Sequence, residues 1–139
     1  MKRVSPQEAK ELLDQGWTYL DVRTEPEFEQ GHPQGAINIP LLHAGPGGMT
    51  PNPDFLAVVQ KVLPKDARVV VGCQAGGRSQ KAAQQLEGNG YTQLVDQRCG
   101  FGGARDATGR VEPGWAAAGL PVEQGQPAGR SYRELAKKG

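Results

Sequence analysis

Val69-Val70-Val71-Gly72-Cys73-Gln74-Ala75-Gly76-Gly77-Arg78-Ser79 carries the strongest structural signal in the chain. An apolar run ends in a cysteine, a Gly-rich turn follows, and a segment rich in helix formers, Ser79 to Glu87, begins at once. A continuous Val run reads as a strand buried on both faces, the kind found in a parallel sheet covered by helices. Cys73 is therefore expected at the carboxyl end of a central strand, facing the amino end of a helix. Open α/β sheets place their ligands there, and unpaired N–H groups and the helix dipole favour an anion. A thiol so held should be largely ionised, and the thiolate is the reactive form. Cys73 is the nucleophile candidate.

The rest of the chain fits such a sheet. Ser5-Pro6-Gln7-Glu8 is a capping box with Pro at the first helical position, and Gly16 supplies the stop. Trp17 to Val22 reads as the first strand, with the N-terminal residues passing directly into the helix. Thr24-Glu25-Pro26-Glu27 repeats the capping logic for a short helix ending at Gly31, and Ala36 to Ile39 is a brief strand. His43 to Pro53 holds three Gly and three Pro and reads as a loop. Phe55, Val58, Val59, Val62 and Leu63 mark one helical face. Gly88-Asn89-Gly90 is a turn and Gln93 to Asp96 a strand. Gly100 to Pro113 reads as irregular and Glu112 to Gly119 as a short helix carrying Trp115. Alternating helix and strand signals predict an α/β fold with a central, mostly parallel sheet flanked by helices. One domain is expected over residues 1–124. Residues 125–139 form a polar C-terminal tail, either docked through Tyr132 and Leu135 or loose.

At 139 residues the chain is long enough for one domain with a real core, not two. Its net charge of +1 gives no electrostatic case for nucleic acid or an anionic membrane. No apolar stretch approaches the length of a bilayer span. The N-terminal residues lack the apolar core of a secretory signal. Two cysteines in distinct contexts suggest a reducing compartment, so a cytoplasmic location is expected. No Cys/His spacing suits zinc; neither a metal nor a cofactor is expected.

Cys73, Gly76, Arg78 and Ser79, as Cys-x-x-Gly-x-Arg-Ser, resemble the active-site loop of single-domain rhodaneses, a family of sulfurtransferases. Tyr19-Leu20-Asp21-Val22-Arg23 with Glu27-Phe28 is similar to that family's first strand and helix. Gly31 to Pro40 resembles its glycine-bounded second signature, with Pro33 where an aliphatic residue is more usual. Gly102-Gly103, Trp115 and Gly119-Leu120-Pro121-Val122 resemble its closing elements, at a longer Gly-Gly to Trp spacing. The resemblance implies a two-step reaction. The Cys73 thiolate takes a sulfane sulfur from thiosulfate or a persulfide donor, and the resulting persulfide passes it to cyanide or a thiol. Each step starts from an anion already formed, so no histidine base is required, and residues 44–139 contain none. The partners expected are small-molecule donor and acceptor; a non-turnover carrier or sensor delivering sulfur to a protein is the alternative.

The expected sulfur cradle is the curl of Gln74, Ala75, Gly76, Gly77, Arg78 and Ser79, with backbone N–H groups converging on the anion. Gly76 and Gly77 suit such a curl. Arg78 has two readings: pairing with the sulfonate of thiosulfate, or bracing the loop through Asp21. Arg23 and Glu27 are expected as structural partners near the same edge. Ser79 is expected to cap the helix and donate to the sulfur. Cys99 follows a strand closely and reads either as a resolving thiol or as a quiet loop residue. Phosphatase and arsenate reductase loops on this fold are Cys-x5-Arg. Here four residues separate Cys73 from Arg78, a tighter cradle that disfavours a tetrahedral oxyanion.

Overall fold

The structure is a computed structural model and describes residues 2–105 and 107–137. The chain opens with strand β1 (Lys2–Val4), helix α1 (Pro6–Asp14), strand β2 (Thr18–Asp21) and helix α2 (Glu25–Gln30). Two short strands follow, β3 (His32–Pro33) and β4 (Ile37–Asn38), then a hairpin of β5 (Leu42–Gly45) and β6 (Gly48–Pro51). Helix α3 (Phe55–Val62) leads to strand β7 (Arg68–Gly72), helix α4 (Gly77–Glu87) and strand β8 (Gln93–Gln97). The chain ends with β9 (Ala104–Arg105), β10 (Val111–Glu112), β11 (Val122–Glu123) and helix α5 (Tyr132–Leu135).

Five strands form one parallel sheet in the order β1-β8-β7-β2-β4. The valine run lies at its centre, and its side chains divide between two cores. Val69 and Val71 pack with Leu20, Leu94, Phe55, Val59 and Leu86 on the face covered by α3 and α4. Val70 packs with Tyr19, Val95, Phe28 and Trp115 on the face covered by α1. Burial on both faces is the physical reason that the run is apolar without alternation.

Both predicted capping boxes close: Ser5 accepts from the Glu8 N–H, Thr24 from the Glu27 N–H, and each Glu reaches back to its cap. Four expectations are revised. Residues 2–4 are an edge strand paired in parallel with β8, not a direct lead into the helix. The 43–53 segment contains the β5–β6 hairpin, in which Gly45 faces Gly48 across a Pro46-Gly47 turn. The 100–113 stretch holds a small antiparallel pair, β9 with β10. Residues 115–119 are turns, not a helix, closed by the Ala118 N–H on Gly114 O at 3.0 Å.

The part of the C-terminal segment that the structure describes, residues 125–137, is docked. Leu135, fully buried, belongs to the same core as Cys73, and the Tyr132 hydroxyl accepts from the Asn52 amide at 3.2 Å. The Asn38 N–H donates to Arg130 O at 3.0 Å, so the segment extends edge strand β4. Burying a leucine side chain is worth about 1.5–3 kcal/mol. That helps offset the cost of ordering the segment.

Candidate active site

Cys73 follows the last residue of β7 directly, at the carboxyl edge of the sheet, and is buried. Gly72 before it admits no side chain, since a Cβ there would lie 1.9 Å from the Tyr19 hydroxyl oxygen. The chain then curls through Gln74 and Ala75 to Gly76, which has a φ of 95° and is the N-cap of α4. A Cβ on Gly76 would stand 2.4 Å from Arg98 O. Only glycine meets both demands. The curl brings the Gly76 N–H to 3.0 Å from Cys73 Sγ, and the first turn of α4 carries no side-chain cap. A sulfur anion at Cys73 thus meets a backbone donor and the positive end of a helix.

The sequence-predicted residues separate into three groups. Gly76 and Ser79 stand against the sulfur, with Ser79 Oγ 3.5 Å from Sγ. Ser79 lies inside α4 and caps nothing; its hydroxyl donates to Asp96 Oδ1 at 2.5 Å. Ala75 and Gly77 are exposed on the outer side of the curl. Gln74 is tied by its side chain to Arg23, whose Nη1 donates to Gln74 Oε1 at 3.0 Å.

The bracing role belongs to Arg23. Its Nη2 donates to Asp21 Oδ2 at 2.8 Å and to Gly31 O at 2.7 Å, and its guanidinium carbon lies 4.5 Å above the Phe101 ring. Both members of the Asp21–Arg23 pair are buried. Arg78 does not reach Asp21 as one reading expected; its fork grips Glu27, Nη1 to Oε1 at 2.7 Å and Nη2 to Oε2 at 3.0 Å. Burial alone would raise the Glu27 carboxyl. The Arg78 hydrogen bonds and charge, with the Thr24 donors, outweigh that and hold it at about 2. Arg78 is raised chiefly by the same hydrogen bonds.

Two functional residues escaped the sequence reading. Asp96, fully buried at the end of β8, holds Ser79 and accepts from Arg3 Nε at 2.7 Å. A carboxylate closing the apolar Leu94-Val95 run was the available signal, the same signal that drew attention to Asp21. Arg3 gave none, because strand β1 is three residues long and two of them are charged. Cys99 is buried and free, and its thiol is raised by burial and then by the nearby Glu112 charge. The loop that follows it is laced to the curl: the Phe101 N–H donates to Cys73 O at 2.8 Å and the Gly102 N–H to Gln74 O at 3.0 Å.

A cleft of about 510 Å³ is lined by residues that include Thr24, Glu29, His43, Gln126, Arg133 and Glu134. Cys73 is not among its walls, so the chemistry is assigned to the curl and not to this space. Among the described residues no cluster of His, Cys, Asp or Glu is arranged to hold a metal ion, and no helix is long and apolar enough to cross a membrane.

The family model described as "Rhodanese-like domain" matches residues 5–104. The chain is 43% identical over 120 residues to Thiosulfate sulfurtransferase 16, chloroplastic, of Arabidopsis thaliana, covering 86% of this chain and 91% of that protein. It is 40% identical over 99 residues to Protein HIGH ARSENIC CONTENT 1, mitochondrial, of the same plant, covering 71% of this chain and 59% of that one. Among solved structures, Rv0390 from M. tuberculosis superposes with a TM-score of 0.74 at 31% identity, covering 90% of this chain and 98% of that chain.

Proposed function

The chain belongs to the rhodanese-like domain family, and we propose that it is a sulfurtransferase working through a persulfide on Cys73. The thiosulfate sulfurtransferase relative supports sulfurtransferase activity in general, and the surroundings of Cys73 support the persulfide route. The Cys73 thiolate attacks the outer sulfur of thiosulfate, the S–S bond to the sulfonate sulfur breaks, and sulfite leaves with its electron pair. A thiophile such as cyanide or a thiol then attacks the outer sulfur of the persulfide, and Cys73 departs as thiolate. With a persulfide donor the leaving group is a thiolate instead of sulfite.

The observation that carries this reading is the Gly76 N–H 3.0 Å from Cys73 Sγ at the uncapped start of α4. That arrangement stabilises an anionic sulfur. The test exposes purified protein to thiosulfate, polysulfide or glutathione persulfide and weighs it by mass spectrometry. One added sulfur is expected on Cys73 and none in Cys73→Ser, which also loses thiosulfate:cyanide turnover. Appreciable turnover in Cys73→Ser would overturn the assignment. A persulfide that forms but passes to no small thiophile would favour the carrier or sensor reading.

The relative named for arsenic content gives one specific reason to test a second reading, an oxyanion site for arsenate or phosphate. Four residues between Cys73 and Arg78, and an Arg78 fork occupied by Glu27, count against it. Arsenate-dependent thiol oxidation lost in Cys73→Ser would reinstate it.

A further inference from the structure

Ser79 has one hydroxyl hydrogen and three polar neighbours. Its Oγ lies 2.5 Å from Asp96 Oδ1, 3.2 Å from Gly76 O and 3.5 Å from Cys73 Sγ. A carboxylate at the shortest distance takes that hydrogen, so the lone pairs of Ser79 face the sulfur and accept the thiol hydrogen. The other oxygen of Asp96 accepts from Arg3 Nε, and Arg3 Nη2 lies 3.4 Å from Gly76 O, on the same curl. Cys73, Ser79, Asp96 and Arg3 come from four separate parts of the fold and form one line. It runs from a buried sulfur to a guanidinium whose side chain is 41% exposed.

We propose that this line is a proton wire that activates the nucleophile. Cys73 passes its thiol proton to Ser79 Oγ as Ser79 passes its own to Asp96 Oδ1. The products are a thiolate that accepts a hydrogen bond from Ser79, an intact serine hydroxyl and a neutral Asp96 carboxyl. The reason is charge in a dry place. Ionising Cys73 outright beside ionised Asp96 would place two negative charges side by side in the interior, whereas the transfer keeps one throughout. Arg3 stays on the other oxygen of Asp96, opposite Ser79. Asp96 never touches the sulfur and acts only through Ser79. The proposal rests on the sulfurtransferase reading, which requires the thiolate.

The other titratable groups around the line have partners of their own, and Arg78 and Tyr19 also feel the charge of Cys73. Arg78 is paired with Glu27, and Asp21 with Arg23. Arg98 interacts with Glu8 and Glu112. Burial pushes the Tyr19 phenol far above its ordinary range. Cys99, which feels the charge of Arg3, is replaced in the test.

Iodoacetamide alkylation of a Cys99→Ser protein, followed against pH, reads Cys73 alone. Two groups sharing one proton give a rate that is flat through the mildly acidic range, because the internal transfer fixes the thiolate fraction there. The rate then rises again as the pair loses its last proton. Asp96→Asn and Ser79→Ala should each remove the plateau, leaving a fall of about tenfold per pH unit below a single midpoint. The double variant should match either single one. Arg3→Gln keeps the carboxylate, makes it more basic, and should raise the plateau severalfold; with Ser79→Ala it reads the wire even if Asp96→Asn fails to fold. A single-step profile in the parent, or a plateau that survives Ser79→Ala, overturns the wire. Persulfide formation from thiosulfate is measured on the same samples. Persulfide without a plateau refutes the wire and leaves the sulfurtransferase reading intact; a plateau without persulfide does the reverse.

Discussion

Arg23 and Arg78 bring the same guanidinium to one edge of the sheet, and their surroundings give them different consequences. Arg23 is buried against Asp21, so Arg23→Ala strands a carboxylate in the interior, releases Gln74 and uncovers Phe101. Removing one partner of a buried pair costs about 3–5 kcal/mol. Arg78 and Glu27 are partly exposed, and Arg78→Ala should cost about 1 kcal/mol. Urea unfolding of the two variants checks the order; an Arg78→Ala protein less stable than Arg23→Ala would contradict it. Cys73 was legible in the sequence because strand, cysteine, glycine turn and helix are written consecutively. The arginine pairings were not. Which carboxylate a long side chain reaches depends on the angle at which α2 crosses above the sheet edge, and no local pattern encodes that.

The curl between β7 and α4 depends on Gly76 more than on any other residue in it. Its φ of 95° and the Arg98 carbonyl oxygen, which a Cβ would approach to 2.4 Å, exclude side chains for two separate reasons. Gly76→Ala should lose about 1–3 kcal/mol from backbone strain alone and displace the N–H that faces Sγ. Thermal melting together with persulfide mass spectrometry tests this; an alanine variant with parental melting and persulfide yield would show that the curl does not need glycine. The same segment shows how far elements could be read ahead. Helices α1 and α2 were legible to their caps, because Ser5 and Thr24 satisfy N–H groups of their own first turns. Strand β1 was not, because nothing in Lys2-Arg3-Val4 is strand-like until β8 lies beside it. The β5–β6 hairpin was hidden by its Gly and Pro content, which marks turns and says nothing of the residues pairing around them.

Acid should loosen the whole fold through two tethers far apart in sequence. Glu27 joins α2 to α4, and Glu123 joins β11 to Arg130, with His32 and the Gly35 N–H also on its carboxylate. Glu27 is held at about 2 against the burial that would raise it, and Glu123 at about 2 chiefly by Arg130. A carboxyl lowered in the folded state contributes stability that is complete above its ordinary value of 4.5 and is lost as pH falls from there towards about 2. Urea midpoints should therefore fall across that window, and fall less in Glu27→Gln, which has already lost one tether. A variant as acid-sensitive as the parent would clear Glu27 of the effect. The sheet order carries one more consequence, for the newborn chain. Strand β1 is made well before its partner β8, with the residues of β2 to β7 between them. At roughly 5–20 residues per second, the ribosome keeps Arg3 waiting for Asp96 for roughly 5–20 s. During that time the half-made protein holds Cys73 without the carboxylate that we propose takes its proton, and the sulfur ionises on its own.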